Sequence, residues 1–494
     1  MTKIIHATHI SKIKNILWPI ESTEYKKFLP LAAMIFCILF NYSAFRSIKD
    51  GLIVTSIGPE AISFLKTYLV LPSAILMMII YTKLCNIMSQ QKVFYIITCS
   101  FLLYIIVFTF ILYPFSNIFH PDLQKIKSLC DEYPNFKWFI KIAGNWSYAS
   151  FYVVAELWGN MILSLLFWQL ANQITTHNEV RRFYPMFGLV GNCSLLTVAV
   201  VLRALLDQST NLVANHIKFI PVLSITILSG VVILFLYHWI DHKVMKNTVT
   251  HNTESNIKTK KLNVKDSIKM ILSSGYLGLL ALFVISYGIS INLVEGIWKS
   301  KIKEMYPSKE AYTLFMSTFQ AYQGIVAIIF MFIGSNILRR LSWKKATMFT
   351  PLMMLSTGVV FFLFIVFEKF SAIEIAAFIG TGPLLLVVII GSVQNILTKA
   401  TKYSLFDSTK EMVYMHIDNE LKTKGKAAVD VIASRCGKSL GGVIQSTFFM
   451  ILPTATFESA VPFFASIFFM ILGLWIWAIQ TLNTAIGNKI NNTQ

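Results

Sequence analysis

Lys218-Phe-Ile-Pro-Val-Leu-Ser-Ile-Thr-Ile-Leu-Ser-Gly-Val-Val-Ile-Leu-Phe-Leu-Tyr-His-Trp-Ile240 holds no charged side chain after Lys218, and the stretch that follows, 241–274, is polar and carries seven lysines. A helix rises about 1.5 Å per residue, so some 20 apolar residues cross about 30 Å of hydrocarbon. A run of that length ending in a lysine-rich segment reads as a membrane-spanning helix delivered to an aqueous face. Runs of the same kind recur on both sides of it, at 28–48, 62–82, 93–113, 146–170, 183–206, 275–296, 312–334, 347–367, 373–395, 428–452 and 462–482. With 218–240 they make about twelve spans. The expected fold is an all-α polytopic membrane protein.

Composition agrees with that class. The chain has 494 residues, of which 55% are hydrophobic and only 14% charged, with a mean hydropathy of +0.63; soluble chains carry about 25% charge. The order is a basic segment 1–27, six spans over 28–240, a linker 241–274, six spans over 275–482, and a tail 483–494. Two six-helix halves joined by a linker form the major-facilitator arrangement, in which the halves rock around a site at the membrane midplane.

Orientation follows from Lys and Arg. Segments 1–27, 83–92, 171–182, 241–274, 335–346, 396–427 and 483–494 hold about 27 of them against about 11 in the opposite set, the asymmetry of the positive-inside rule. Both termini are therefore expected in the cytoplasm, with the chain in contact with the lipid bilayer. Residues 10–19 read as a short interfacial helix and not as a cleavable signal. The net charge of +19 is scattered over many loops, so nucleic acid is not an expected partner.

Four charged side chains fall in stretches that otherwise read as spans: Lys49, Glu156, Glu295 and Lys438. A charge at the bilayer centre costs roughly 2.5–3.5 kcal/mol on insertion scales, so each needs a partner or a role. Arg46 lies three residues before Lys49, and Arg435 three before Lys438; that spacing shares a helix face. The bland alternative for Arg46 and Lys49 is a snorkelling interfacial anchor. Glu156 sits near the middle of its run, whereas Glu295 is placed near the outer end of 275–296. For Arg435 and Lys438 the alternative is an ion pair with Glu156 or another acid.

Cations on a translocation path suit an anionic solute. An anion of several charges needs several cations in a low-dielectric site. Arg46 and Lys49 with Arg435 and Lys438 could clamp it from two sides, while Glu156 and Glu295 hold the cations when the site is empty.

Other chemistries lack their residues. Cys436-Gly-Lys-Ser439 resembles a P-loop tail, but Ile432 stands where the first glycine belongs. The small residues Gly437, Ser439, Gly441 and Gly442 suit close helix packing or a backbone approach by ligand. The six cysteines are dispersed, and His238 and His242 at a helix exit are not taken as a metal site. No cofactor and no metal are expected. ATP hydrolysis is not expected either.

Asn41-Tyr-Ser-Ala-Phe-Arg-Ser-Ile-Lys-Asp-Gly51, Ile62-Ser-Phe-Leu-Lys-Thr-Tyr-Leu-Val-Leu-Pro72, Ala155-Glu-Leu-Trp-Gly159, Asn292-Leu-Val-Glu-Gly-Ile-Trp-Lys-Ser300, Lys402-Tyr-Ser-Leu-Phe-Asp-Ser-Thr-Lys410 and Gly437-Lys-Ser439 together resemble the ATP/ADP translocases, or nucleotide transporters, of obligate intracellular bacteria and plastids. The resemblance runs from about residue 15 to about residue 480. It implies twelve spans and import of ATP in exchange for ADP across a bacterial inner membrane, or carriage of other nucleotides such as GTP, CTP or UTP. It also implies functional roles for Lys49, Glu156, Glu295 and Lys438. With a nucleotide as the anion, about −4 in charge for a triphosphate, Arg46, Lys49, Arg435 and Lys438 would clamp the phosphates, and Tyr42, Phe45, Tyr152, Trp158 and Trp298 are candidates for base stacking. Two other classes stand beside it: a proton-coupled importer of a small solute, and a polytopic membrane enzyme. Oligomeric state is not written in the sequence, and a monomer is compatible with it.

Overall fold

The structure is a computed structural model and describes residues 18–207, 217–245, 274–366, 380, 382–414, 429 and 433–491. Among the described residues eleven helices are long and apolar enough to cross a membrane. In chain order they are α1 (Ser22–Ser56), α2 (Ala61–Ile87), α3 (Gln90–Leu112), α6 (Trp146–Ile174), α7 (Arg182–Leu206), α8 (Ile220–Val244), α9 (Gly275–Met305), α10 (Lys309–Arg340), α11 (Trp343–Val366), α12 (Pro383–Val413) and α14 (Val461–Gly487). Two short helices, α4 (Leu123–Glu132) and α5 (Lys137–Gly144), lie between α3 and α6. The remaining expected span corresponds to α13 (Ser434–Ile451), of which Ser439–Ile451 is the apolar part.

Two compact units form. The first comprises the described residues of Met1–Lys49, Ser73–Phe119 and Ser150–Ile257, the second those of Asp50–Pro72, His120–Ala149 and Lys258–Gln494. The first has an aromatic core. Trp158 is fully buried and stands edge-on to Phe45 at 5.4 Å and Phe101 at 6.0 Å. Phe28 stacks on Phe187 at 5.5 Å, and the start of α1 is tied to α7 by Arg182, which donates to Glu21 at 2.6 Å and also to Glu24.

In the second unit α9 is the central helix, buried along most of its length. It packs against α13 through glycines. A Cβ on Gly437 would stand 2.9 Å from the Ile285 Cα, and one on Gly441 would stand 2.8 Å from the Asn292 Cβ. Those glycines serve helix packing, the first of the two expectations for that stretch. Large apolar side chains on outward faces, among them Leu76, Ile79, Leu228, Phe235, Ile329 and Phe332, stay exposed, as a lipid environment requires.

Several of the long helices contain π-helical turns, and three of these turns lie at or just after Lys66, Glu156 and Lys399: Leu65–Val70 in α2, Gly159–Phe167 in α6 and Lys402–Phe406 in α12. The first has a local cause. Pro72 has no N–H to give the preceding turn, and the Leu71 N–H reaches back to the Lys66 carbonyl, five residues away.

Several expected boundaries move. The expected span 275–296 stops nine residues short of the end of α9 at Met305, so Glu295 lies within the helix and not near its end. Of the expected span 373–395, residues 373–379 lie outside the described residues; a helix begins at Pro383, after Gly380 with φ +74°, and runs on to Val413. Proline at the first helical position is a start signal. The far ends differ because lysines there face carboxylates instead of water. Residues 10–17, the core of the expected interfacial helix, and most of 241–274 lie outside the described residues.

Candidate functional site

The second unit gathers cations around one carboxylate on α9. Glu295 Oε1 lies 3.4 Å from Lys299 Nζ and 3.7 Å from Lys399 Nζ, and its Oε2 lies 3.6 Å from Lys66 Nζ. Lys299 also meets Asp50 Oδ2 at 2.8 Å, and Lys66 donates to Asn292 Oδ1 at 2.9 Å. Each lysine arrives on a different helix: Lys66 from the π-helical turn of α2, Lys299 one turn beyond Glu295 on α9, Lys399 from mid-α12, with its ammonium 5.4 Å from the Phe319 ring centre. Three lysines thus face two carboxylates.

The contacts differ in access. The Asp50 and Lys299 side chains are each 3% exposed, whereas Glu295 is 14% and Lys66 24% exposed. Asp50–Lys299 is a buried anchor, and the Glu295–Lys66 side is its open part. Asn292 is itself fixed, since its Nδ2 donates to the Gly288 carbonyl at 2.8 Å and Gln445 donates to its own carbonyl at 3.0 Å.

The first unit holds a smaller constellation. Lys49 Nζ lies 2.9 Å from Glu156 Oε1 and 3.8 Å from the centre of the Tyr152 ring. Arg46 lies 5.7 Å from the Tyr42 ring centre. Gly159 explains why Tyr42 fits there, because a Cβ at that position would come 2.5 Å from the Tyr42 ring. Glu156, Tyr152 and Gly159 share one stretch of α6 and line up against Arg46, Lys49 and Tyr42 of α1.

The candidate residues from sequence meet different fates. Lys49 and Glu156 pair with each other, and Glu295 becomes a hub. Arg435 and Lys438 fall on α13, but their side chains lie outside the described residues. The tryptophans are core residues here: Trp158 donates to the Ile38 carbonyl at 3.2 Å, and Trp298 donates to the Val388 carbonyl at 3.1 Å with the Phe319 ring tilted against it at 4.5 Å. The face of Tyr152 is taken by the Lys49 ammonium.

Asp50, Lys66, Lys299 and Lys399 are members of the constellation that the sequence did not single out as site residues. Lys66 carries the same signal as Lys49, a cation inside an apolar run. Lys299 and Lys399 border the runs 275–296 and 373–395 and therefore look like ordinary loop lysines.

Known proteins share both sequence and fold with this chain. Residues 5–486 match the TLC ATP/ADP transporter family. ADP,ATP carrier protein 1 of Rickettsia bellii (strain RML369-C) is 54% identical over 98% of both chains. ADP,ATP carrier protein 3 of the same organism is 46% identical, covering 96% of this chain and 97% of its own. Among solved structures, the nucleoside transporter NupG aligns with a TM-score of 0.55 at 12% identity, over 93% of this chain and 99% of its own. A D-xylose-proton symporter aligns with a TM-score of 0.52 at 11% identity, over 93% and 97%. At such identities the likeness is one of fold, and it is the transporter fold with major-facilitator character that the two sets of spans implied. A match across nearly the whole length, with relatives at this identity, means that the chain belongs to the TLC ATP/ADP transporter family.

Proposed function

We propose that the chain is an inner-membrane nucleotide transporter that imports ATP in exchange for ADP by alternating access, with both termini cytoplasmic. The observation that carries this is the set of three lysines, from three helices, converging on Glu295. Carboxylate and phosphate oxygens accept the same charge-assisted hydrogen bonds. An arriving phosphate chain therefore competes with Glu295 for Lys66 and Lys399, while Lys299 stays anchored on Asp50. In the empty protein the carboxylate holds the lysines; in the loaded protein the phosphates do. Exchange follows, because releasing one anion leaves cations that the next anion, or Glu295, must satisfy before the protein reorients. Lys49 with Glu156, and Arg46 beside them, repeat the device in the first unit, and Arg435 and Lys438 are assigned to phosphate as well. Segments 28–240 and 275–482 are the moving halves.

The names of the relatives, ADP,ATP carrier proteins, support ATP and ADP as the substrates. The proton-coupled alternative needs one titrating acid and gives no reason for three lysines around it. Intact bacterial cells expressing the chain are loaded with α-labelled ATP and chased with unlabelled ATP, ADP, GTP, CTP, UTP or phosphate. ATP and ADP are expected to release the label, and a protonophore is not. Accumulation of a different nucleotide moves the substrate, and uptake of none, with the protein shown in the membrane, ends the assignment.

A further inference from the structure

A second basic concavity lies away from the Glu295 cluster. Between α4, α5 and the turn after α13 is a cavity of about 550 Å³ whose wall includes Lys127, Lys137, Lys141, Asp131, Asn145 and Thr454. Pockets that hold small ligands fall in the range of about 300–1,000 Å³. Lys137 and Lys141 are four apart on α5 and so share a face, an arrangement in which like charges oppose the helix. They are kept there by Trp138, with each ammonium 4.9 Å from its ring centre. The ring is fixed in turn by Gly58, whose φ of +140° and close approach leave no room for a Cβ, which would stand 2.9 Å from the indole. Lys137 also donates to the Pro453 carbonyl. Its pKa lies below the ordinary lysine range, through burial first and the charge of Lys141 second.

Three lysines thus line one concavity in which Asp131 is the acidic lining residue. That is a positive potential focused by low-dielectric surroundings, and such clefts raise the local concentration and association rate of anions. We propose that this cavity is a capture site for the phosphate chain of a nucleoside di- or triphosphate, filled before the anion enters the transport path. The proposal deepens the nucleotide-transport reading and rests on it for the identity of the anion. Lysine acts here as a point charge, suited to a flexible chain of phosphates instead of a single fixed carboxylate. The helices that build it connect α3 to α6, on the face opposite the termini in the proposed orientation.

Initial rates of α-labelled ATP uptake by intact cells test it with three variants of the full chain. Lys137 is left in place because of its bond to Pro453. K127Q/K141Q is expected to raise KM about three- to tenfold with little change in maximal rate. K127R/K141R, which keeps the charge, and K125Q, on an exposed α4 lysine outside the cavity wall, are expected to stay within about twofold of wild type. A KM for K127Q/K141Q that equals the wild-type value overturns the capture site and leaves the transport reading intact. If the wild type carries no nucleotide, the transport reading fails on its own. The capture site is then judged by binding of ATP and inorganic pyrophosphate to the purified full chain in phosphatidylcholine nanodiscs. Weaker binding by K127Q/K141Q supports it, and equal binding overturns it. A difference between the proteins that occurs only when phosphatidylglycerol is present also overturns it, because the cavity then serves a lipid headgroup.

Discussion

A carboxylate that competes with substrate should be distinguishable from one that merely holds its neighbours in place. Glu295→Gln is expected to lower exchange at least about tenfold while ADP binding to the purified protein is kept or tightened, since the lysines lose a competing acceptor. Parallel loss of binding would reduce Glu295 to a scaffold. Burial ranks the ion pairs. Asp50 and Lys299 are both 3% exposed, so Asp50→Asn leaves a buried lysine with only the more distant Glu295 against it and should cost about 3 kcal/mol. Glu156→Gln leaves Lys49, also 3% exposed, but Glu156 itself is 24% exposed, so water can reach the site, and the change should cost less, about 1–2 kcal/mol. Thermal melting of the two variants in one detergent compares them, and equal losses would contradict the ranking. Glu60, in the turn before α2, gives a pH dependence. Its carboxyl is raised above the ordinary 4.5, by burial above all, against the smaller opposing effects of the Phe457 N–H and the Lys303 and Lys137 charges. A raised acid contributes stability that is present below its unfolded pKa and lost as pH rises through its folded one. Glu60→Gln should therefore melt higher than wild type near pH 7.5 and lose that advantage near pH 4.

At the scale of elements, glycines separate by what their missing Cβ would meet. Gly437 faces the backbone of α9 at Ile285, which cannot give way, whereas Gly188 on α7 has nothing within 4 Å. Gly437→Ala should destabilise by about 1–3 kcal/mol through overpacking, and Gly188→Ala should stabilise by about 0.5–1 kcal/mol through helix propensity. Melting temperatures moving in the same direction would refute the assignment. The sequences Gly188–Gly191 and Gly437–Gly441 look alike, yet they do different things, because Gly191 meets only the tip of the Leu39 side chain. The π-helical turns of α2, α6 and α12 have the same positional character. The first includes Lys66, the second follows Glu156 by three residues and the third follows Lys399 by three, and such turns re-aim side chains at functional sites.

At the scale of the whole molecule, the second compact unit is not contiguous in sequence. It draws Asp50–Pro72 and His120–Ala149 from before the linker. The C-terminal piece 258–494 alone would lack Asp50 for Lys299 and Lys66 for Glu295, and α13 would lose Thr67, which the Cβ of an alanine at Gly442 would meet at 2.6 Å. That fragment should aggregate when expressed alone and be recovered on co-expression with 1–257, as read by size exclusion and ATP uptake. A stable, monodisperse 258–494 would show that these contacts are dispensable.

Membrane residence, the approximate number of spans and the presence of Lys49, Glu156 and Glu295 as charges that need partners were legible in the chain. Hydrocarbon demands long apolar runs and penalises each charge within them, and both leave marks on a linear sequence. The ends of α9 and α12 were not legible, nor were the roles of Lys299 and Lys399. A lysine at the edge of an apolar run looks the same whether it faces water or a carboxylate. Only tertiary structure adds Lys66 of α2 and Lys399 of α12 to the local i,i+4 pair of Glu295 and Lys299, because that meeting depends on helix packing between segments far apart in sequence, and no local pattern encodes it.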